Sequence, residues 1–267
     1  MKRIFLTGIL ALVTGAACLM AQAPAAPKGP QPKSKSELEA LQALQVAQGN
    51  PDKTIEAAEN LITKFADTEF KTIALFLEAT AYGSKKDYEH MVIFAERVLE
   101  ASPHDLQATL MLAKYYSSTT RENDLDREEK LGKSDKYANQ AIEAAKTAPK
   151  PNSAISDADW AATKKDFTAE AYNSIGLGNM TRKKFDVAAG DFKSAVDANS
   201  RPEPAYMVRL ASALQSAGKN DEAIVWCDKV AAEPNVFPQI KQFAQSVRAL
   251  AIKGGGKAPG GAVPEAK

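Results

Sequence analysis

From Ser36 to Lys253 the apolar residues recur at three- and four-residue intervals, the period of helices that bury one face. Leu38, Leu41, Leu44 and, less regularly, Val46 predict a first helix, with Ser36 and Glu39 at the spacing of a capping box. Gly49-Asn50-Pro51-Asp52 reads as a turn, and Pro51 suits the first position of a second helix carrying Ile55, Ala58, Leu61, Ile62 and Phe65. The same two-helix pattern returns down the chain. Leu75, Ala79 and Tyr82 lead to Tyr88, Ala95, Val98 and a stop at Pro103, while Leu112, Ala113 and Tyr116 open a third unit. Tyr172, Ile175 and Gly176 are followed by Phe185, Ala188, Phe192 and Ala195; Tyr206, Leu210, Ala211 and Leu214 are followed by Ala223, Cys227 and Val230. A last amphipathic helix from Pro238 is expected to turn Ile240, Phe243, Ala244, Val247, Leu250 and Ala251 inward and Lys241, Gln242, Gln245 and Arg248 outward.

The aromatic positions set a register. Tyr82 and Tyr116 stand 34 residues apart, and so do Tyr172 and Tyr206. In Ala169–Ser200 the order is an aromatic, a Gly at Gly176, a turn at Thr181 to Lys184, then Ala188, three residues and Phe192. This order and the 34-residue period resemble the tetratricopeptide repeat. Small residues at Gly176 and Ala188 would let two antiparallel helices approach, with Tyr172 and Phe192 filling the space beside them. A single such hairpin cannot bury its apolar face alone, so neighbours of the same kind are expected. The resemblance implies an all-α, right-handed α-solenoid of about five tetratricopeptide-like hairpins plus a C-terminal capping helix. The repeat domain spans 36–253, with units at 36–68, 70–104, 106–150, 157–202 and 203–235 and the cap at 238–253. A charged insertion, 117–134, interrupts the third unit; Asp126 and Glu129 are spaced to cap a lengthened helix projecting beyond the stack. The alternating acids Glu122, Asp124, Asp126 and Glu128 lack the Gly a calcium loop needs, so a solvated helix start is the better reading.

In this family the first helix of each hairpin lines a groove that takes a peptide or partner protein. Carrying those positions over implies Ile73, Phe76 and Thr80 from the second unit, and Leu110 and Lys114 from the third. The fourth contributes Asn173 and Leu177, and the fifth Val208 and Ser212. The Lys and Asn clamp with which some members grip a C-terminal carboxylate is not reproduced; Asn173 alone resembles it. An apolar or amphipathic helix or an extended peptide would fit such a mixed face. Burial of some of these residues by neighbouring helices is the alternative.

Composition changes this picture little until the N-terminus. Net charge is +1, which gives no electrostatic case for nucleic acid. Residues 1–23 read as a signal peptide: Lys2 and Arg3, an apolar run from Ile4 to Ala17, and Ala21-Gln22-Ala23 as a small-x-small cleavage site. A periplasmic or secreted protein is expected. The alternative is a membrane-anchored lipoprotein acylated at Cys18, since Gly15-Ala16-Ala17-Cys18 resembles a lipobox; such a protein would be similar to the outer-membrane repeat lipoproteins that help insert barrel proteins. Residues 24–35 form a Pro/Ala/Lys-rich linker, and 254–267 a Gly/Pro/Ala tail expected to be disordered.

The search for chemistry returns nothing of weight. The chain has no His-Glu-x-x-His, Gly-x-Ser-x-Gly or Cys-x-x-Cys, and Gly176-Leu177-Gly178 has Thr181 where a dinucleotide fingerprint needs its last Gly. Two cysteines, Cys18 and Cys227, make no disulfide framework, and Cys227 falls at a core position of the repeat. No catalytic residue, metal site or cofactor is expected. The sequence points to a non-enzymatic scaffold whose partner is another protein or peptide, in the cell envelope if the chain is exported.

Overall fold

A computed structural model describes residues 29–152 and 154–257. The expected signal peptide, Cys18, residues 24–28 of the linker and residues 258–267 of the tail lie outside the described residues. Among the described residues there are eleven α-helices and no strand. They are α1 (Lys35–Ala47), α2 (Pro51–Lys64), α3 (Lys71–Ser84), α4 (Tyr88–Ala101), α5 (Leu106–Thr119), α6 (Arg127–Thr147), α7 (Asp157–Thr181), α8 (Phe185–Ala198), α9 (Pro204–Ser216), α10 (Asn220–Ala232) and α11 (Pro238–Lys253). The helices pair in order as five hairpins, with α11 left over. The chain divides into two compact units: one runs to Ala108 and includes Pro149–Asp157, and the other holds Thr109–Ala148 and everything from Ala158 onward.

In the first unit α1 begins two residues earlier than the Ser36–Glu39 spacing implies. Ser34 is the N-cap: its Oγ accepts from the Glu37 N–H at 3.1 Å, and Glu37 Oε2 accepts from the Lys33 N–H at 2.6 Å. Ser34 and Glu37 thus make a variant of the capping box in which the glutamate reaches back to the N–H of Lys33, one residue before the N-cap. Glu37 wins because its buried carboxylate also accepts from Thr68 Oγ1 at 2.6 Å, which ties α1 to the turn before α3. Asn50 caps α2 and Pro51 occupies its first turn. Leu41, Leu44, Ala58, Leu61, Phe70, Ala74 and Leu77 then close a core over α1, α2 and α3. Val46, by contrast, is fully solvent-facing.

The turns inside the hairpins share a geometry. After α3, α7 and α9 the chain enters the left-handed region at Lys86, Lys183 and Gly218. The following N–H donates five residues back in each case, from Asp87 to Tyr82, Lys184 to Asn179 and Lys219 to Leu214. These bonds satisfy the carbonyls orphaned at a helix end.

The second unit is organised around the pair Gly176 and Phe192. A Cβ on Gly176 would lie 2.7 Å from Phe192 Cε1, so the ring of α8 sits directly on the α7 backbone. Phe192 packs with Ala188, Ala189, Leu210, Leu214, Ile224 and Ala251. The α6 and α7 helices, of 21 and 25 residues, run antiparallel. At one end Trp160 Nε1 donates to Ala148 O at 3.1 Å, capping the last turn of α6, while its ring meets Phe167 edge-on. At the other end Arg182 bonds Glu128 at 3.0 Å and Asp135 at 2.9 Å, and Lys183 reaches Glu122 at 2.6 Å. Glu122 and Glu128 of the charged insertion therefore lie against the α7–α8 turn, while Asp124 and Asp126 pair with Lys130 inside it, and Leu131 is buried.

The cap departs from expectation. Ala244, Val247 and Ala251 face inward, but Phe243 and Leu250 do not: they are 47% and 53% exposed. Phe243 stands 34 residues after Arg209, at the same place in its own helix, and like Arg209 it is only partly covered; the match of the buried Leu210 is the buried Ala244.

Candidate functional site

The first helices of the hairpins carry all the sequence-derived groove positions, and each unit holds its own set. In the first unit Ile73, Phe76 and Thr80 lie half-buried on α3. Ile73 packs against the α1–α3 core and Phe76 against Leu75, Val98 and Ala108, while Thr80 Oγ1 donates to the Phe76 carbonyl. These side chains divide their surface between packing and solvent.

In the second unit polar side chains bridge α5, α7 and α9. Lys114 on α5 meets Glu170 on α7 at 3.3 Å. One turn further along α7, Asn173 accepts at Oδ1 from Arg209 Nη1 on α9 at 2.7 Å. Lys114 and Asn173 thus come together through Glu170, as neighbours on one face. Leu177 and Ser212 are half-buried on the same helices, and Leu177 packs onto the Phe192 cluster. Leu110 and Val208 are each only 4% exposed, and Asn173 is 6% exposed. Val208 joins Met207, Val230, Val236 and Ala244 in a core cluster, so it supports this face from beneath.

Arg209 is the residue that sequence reasoning missed. Its guanidinium is half-buried, and burial lowers its pKa from the usual value while the Tyr206 hydroxyl and Glu203 raise it. Arginine stays cationic under such a shift. Among the described residues no carboxylate comes within salt-bridge distance of it; its hydrogen bond is to the neutral Asn173 amide. Beside it, burial first and then the charges of Glu170 and Glu203 raise the Tyr206 pKa, so that hydroxyl stays protonated. Arg209 is thus a desolvated cation whose hydrogen-bond partner is neutral, on a face that also holds the Lys114–Glu170 ion pair and Glu203. The signal was present as a lone cation within the apolar run of α9, one residue past the aligned position Val208.

Among the described residues the remaining titratable and nucleophilic side chains are packed or paired rather than grouped as a reaction centre. Burial, then Asp228, push the Cys227 thiol up to about 11, with Arg248 opposing, which leaves it a packed thiol at neutral pH. His90 sits on Asp87 at 2.9 Å at the start of α4 and stacks on Tyr82. Among the described residues no three His, Cys, Asp or Glu side chains are grouped to hold a metal ion. No helix among them is long and apolar enough to cross a membrane.

No protein-family model matches the chain, and no curated protein does. Solved structures do. A MamA chain labelled AMB-1 aligns over 78% of this chain and 97% of its own, with a TM-score of 0.52 and 14% identity. The MamA RS-1 ArsTM double mutant covers 80% and 98%, with a TM-score of 0.51 and 16% identity. A thermophilic TPR protein from Thermus thermophilus covers 79% and 98%, with a TM-score of 0.47 and 18% identity. At these identities the likeness to the two MamA chains concerns the fold, and it agrees with the 34-residue register and the five hairpins. The chain is a tetratricopeptide-like α-solenoid of helical hairpins.

Proposed function

We propose that this protein is an exported, non-enzymatic scaffold that binds a peptide or partner protein across the first-helix face of its second unit. The observation that carries the reading is Arg209, a half-buried cation whose nearest polar partner is an amide. Lys114 and Asn173 flank it, and Leu177 and Ser212 supply a mixed apolar and polar floor. A carboxylate of the partner, from an acidic side chain or a chain terminus, would complete the guanidinium while apolar side chains pack beside it. In the first unit Ile73, Phe76 and Thr80 offer a second apolar contact.

Export rests on residues 1–23 and their cleavage signal. The lipoprotein reading rests on Gly15-Ala16-Ala17-Cys18, and mass measurement of the mature N-terminal peptide separates the two: a diacylglyceryl mass on Cys18 overturns soluble export. The binding reading is tested by crosslinking capture from the native envelope, with wild type compared with Arg209→Ala and Leu177→Glu. Loss of the same partner band from both folded variants is expected. Unchanged capture by both overturns the reading.

A further inference from the structure

Two ionisable side chains on adjacent helices of the first unit make no ion pair. Glu78 on α3 is fully buried, and neither of its carboxylate oxygens has a hydrogen-bond partner. Arg97 on α4 makes no ion pair among the described residues, and its guanidinium lies 4.9 Å over the Phe94 ring. Phe94 also stacks on Tyr82 at 5.3 Å, and Tyr82 stacks on His90 at 4.8 Å. A cleft of about 300 Å³, lined by Lys71, Leu75, Arg97, Glu100 and Ala101, opens against Arg97, so its side chain has room to move.

The groups around Glu78 decide what its ionisation does. From α2 the exposed Glu59 repels a negative charge there, and from α4 Arg97 attracts it. Other charges nearby are engaged elsewhere: Lys85 with Asp52 of α2 at 2.5 Å, and His90 with Asp87 at 2.9 Å. Asp105, ahead of α5, accepts from the Gln107 and Ala108 N–H groups. Lys71, two turns away on α3, and Glu100 on α4 are exposed to solvent. Tyr82, one turn along α3, keeps a protonated hydroxyl, because burial and then the Glu78 charge raise its pKa. A protonated Glu78 asks nothing of Arg97. An ionised Glu78 left buried without a partner is far costlier than the cation–π contact that Arg97 would give up to reach it.

We infer that Glu78 and Arg97 form a proton-operated latch: when Glu78 gives up its proton, Arg97 leaves the Phe94 ring and pairs with the Glu78 carboxylate, and when the proton returns Arg97 goes back to the ring. The proton passes to solvent, and Arg97 stays cationic throughout. The surface at Phe94 changes with it, from a ring covered by a guanidinium to a bare ring beside the cleft.

The test is NMR of the mature full-length chain carrying labelled Glu carboxyl, Arg guanidinium and Phe ring carbons, titrated from about pH 5 to about pH 9. The Arg97 and Phe94 signals are expected to move with the Glu78 carboxyl at one shared midpoint. In Glu78→Gln, which mimics the protonated acid in shape, Arg97 is expected to keep its low-pH signal throughout. A second readout is urea unfolding of Glu78→Gln, Arg97→Gln and the double variant. Their effects should be additive near pH 5 and depart from additivity by at least about tenfold in the unfolding constant near pH 8. A Glu78 titration that leaves Arg97 unmoved, or additivity at both pH values, overturns the inference. An Arg97 shift that persists in Glu78→Gln would belong to another titrating group and overturns it too.

Discussion

Glu78 is the least accommodated side chain in the molecule. It stands on α3 where the repeat ordinarily places Leu, is fully buried, and neither of its carboxylate oxygens has a hydrogen-bond partner. Burial, reinforced by Glu59 on α2 and opposed by Arg97 on α4, raises its pKa from 4.5 to about 7. Arg97 does not pair with it and lies instead over the Phe94 ring. Tyr82, one turn along α3, is itself shifted up, chiefly by burial and then by the Glu78 charge. The folded protein therefore holds the Glu78 proton more tightly than the unfolded chain does. Its contribution to stability is fully present below pH 4.5 and is lost as pH rises through about 7. At about 1.4 kcal/mol per pKa unit, the loss between pH 4 and pH 8 amounts to roughly 3 kcal/mol. Replacing Glu78 with Leu removes the titration and restores an apolar side chain. Hydrogen exchange of α3 and α4 peptides, corrected for intrinsic rates, should show Glu78→Leu more protected than wild type. The advantage should be larger at pH 8 than at pH 5 by about 2.5 kcal/mol, and differencing the two proteins cancels the other titrating groups. An advantage of equal size at both pH values would refute the reasoning.

Further substitutions probe the hairpins. Gly176→Ala forces a methyl against the buried Phe192 ring and should destabilise the second unit by about 1–3 kcal/mol in urea titration despite the helix propensity of Ala. Gly83→Ala meets only the flexible Met91 thioether at 3.3 Å and should be neutral or stabilising, so similar costs at the two sites would contradict the close-approach argument. Lys86→Gly places glycine at a φ of 63° where lysine is strained, and should raise the melting temperature, by about 1 kcal/mol of stability or somewhat less; a lower melting temperature would mean the lysine stem packs usefully there.

The hairpins were legible because their cause is local. Apolar spacing, Pro51 and Pro238 at helix starts, Gly49 in a turn, and tyrosines 34 residues apart all act within or between adjacent helices. Gly176 was legible as a close approach because its partner, Phe192, lies on the next helix in sequence. What could not be read depends on which groups meet at a distance. Arg182 draws Glu128 and Asp135 toward the α7–α8 turn from more than forty residues away, and no periodicity encodes that. Phe243 and Leu250 fit the apolar period perfectly well, yet a period cannot tell whether another helix arrives to cover them. Of the groove candidates, Lys114 and Asn173 were found by register. Their partners Glu170 and Arg209 were not, because register marks positions and leaves out the charges that adjacent helices bring into contact.

The central claim is that a partner protein sits on the α5–α7–α9 face with an anionic group at Arg209. A photocrosslinking side chain placed at Ser212, within that face, tests it in the native envelope, with one at the exposed Gln140 on α6 as the off-face control. The account predicts a discrete protein adduct from position 212 that disappears when Arg209 is changed to Ala, and no such adduct from position 140. The same adduct from both positions, or an adduct at 212 indifferent to Arg209→Ala, would contradict it.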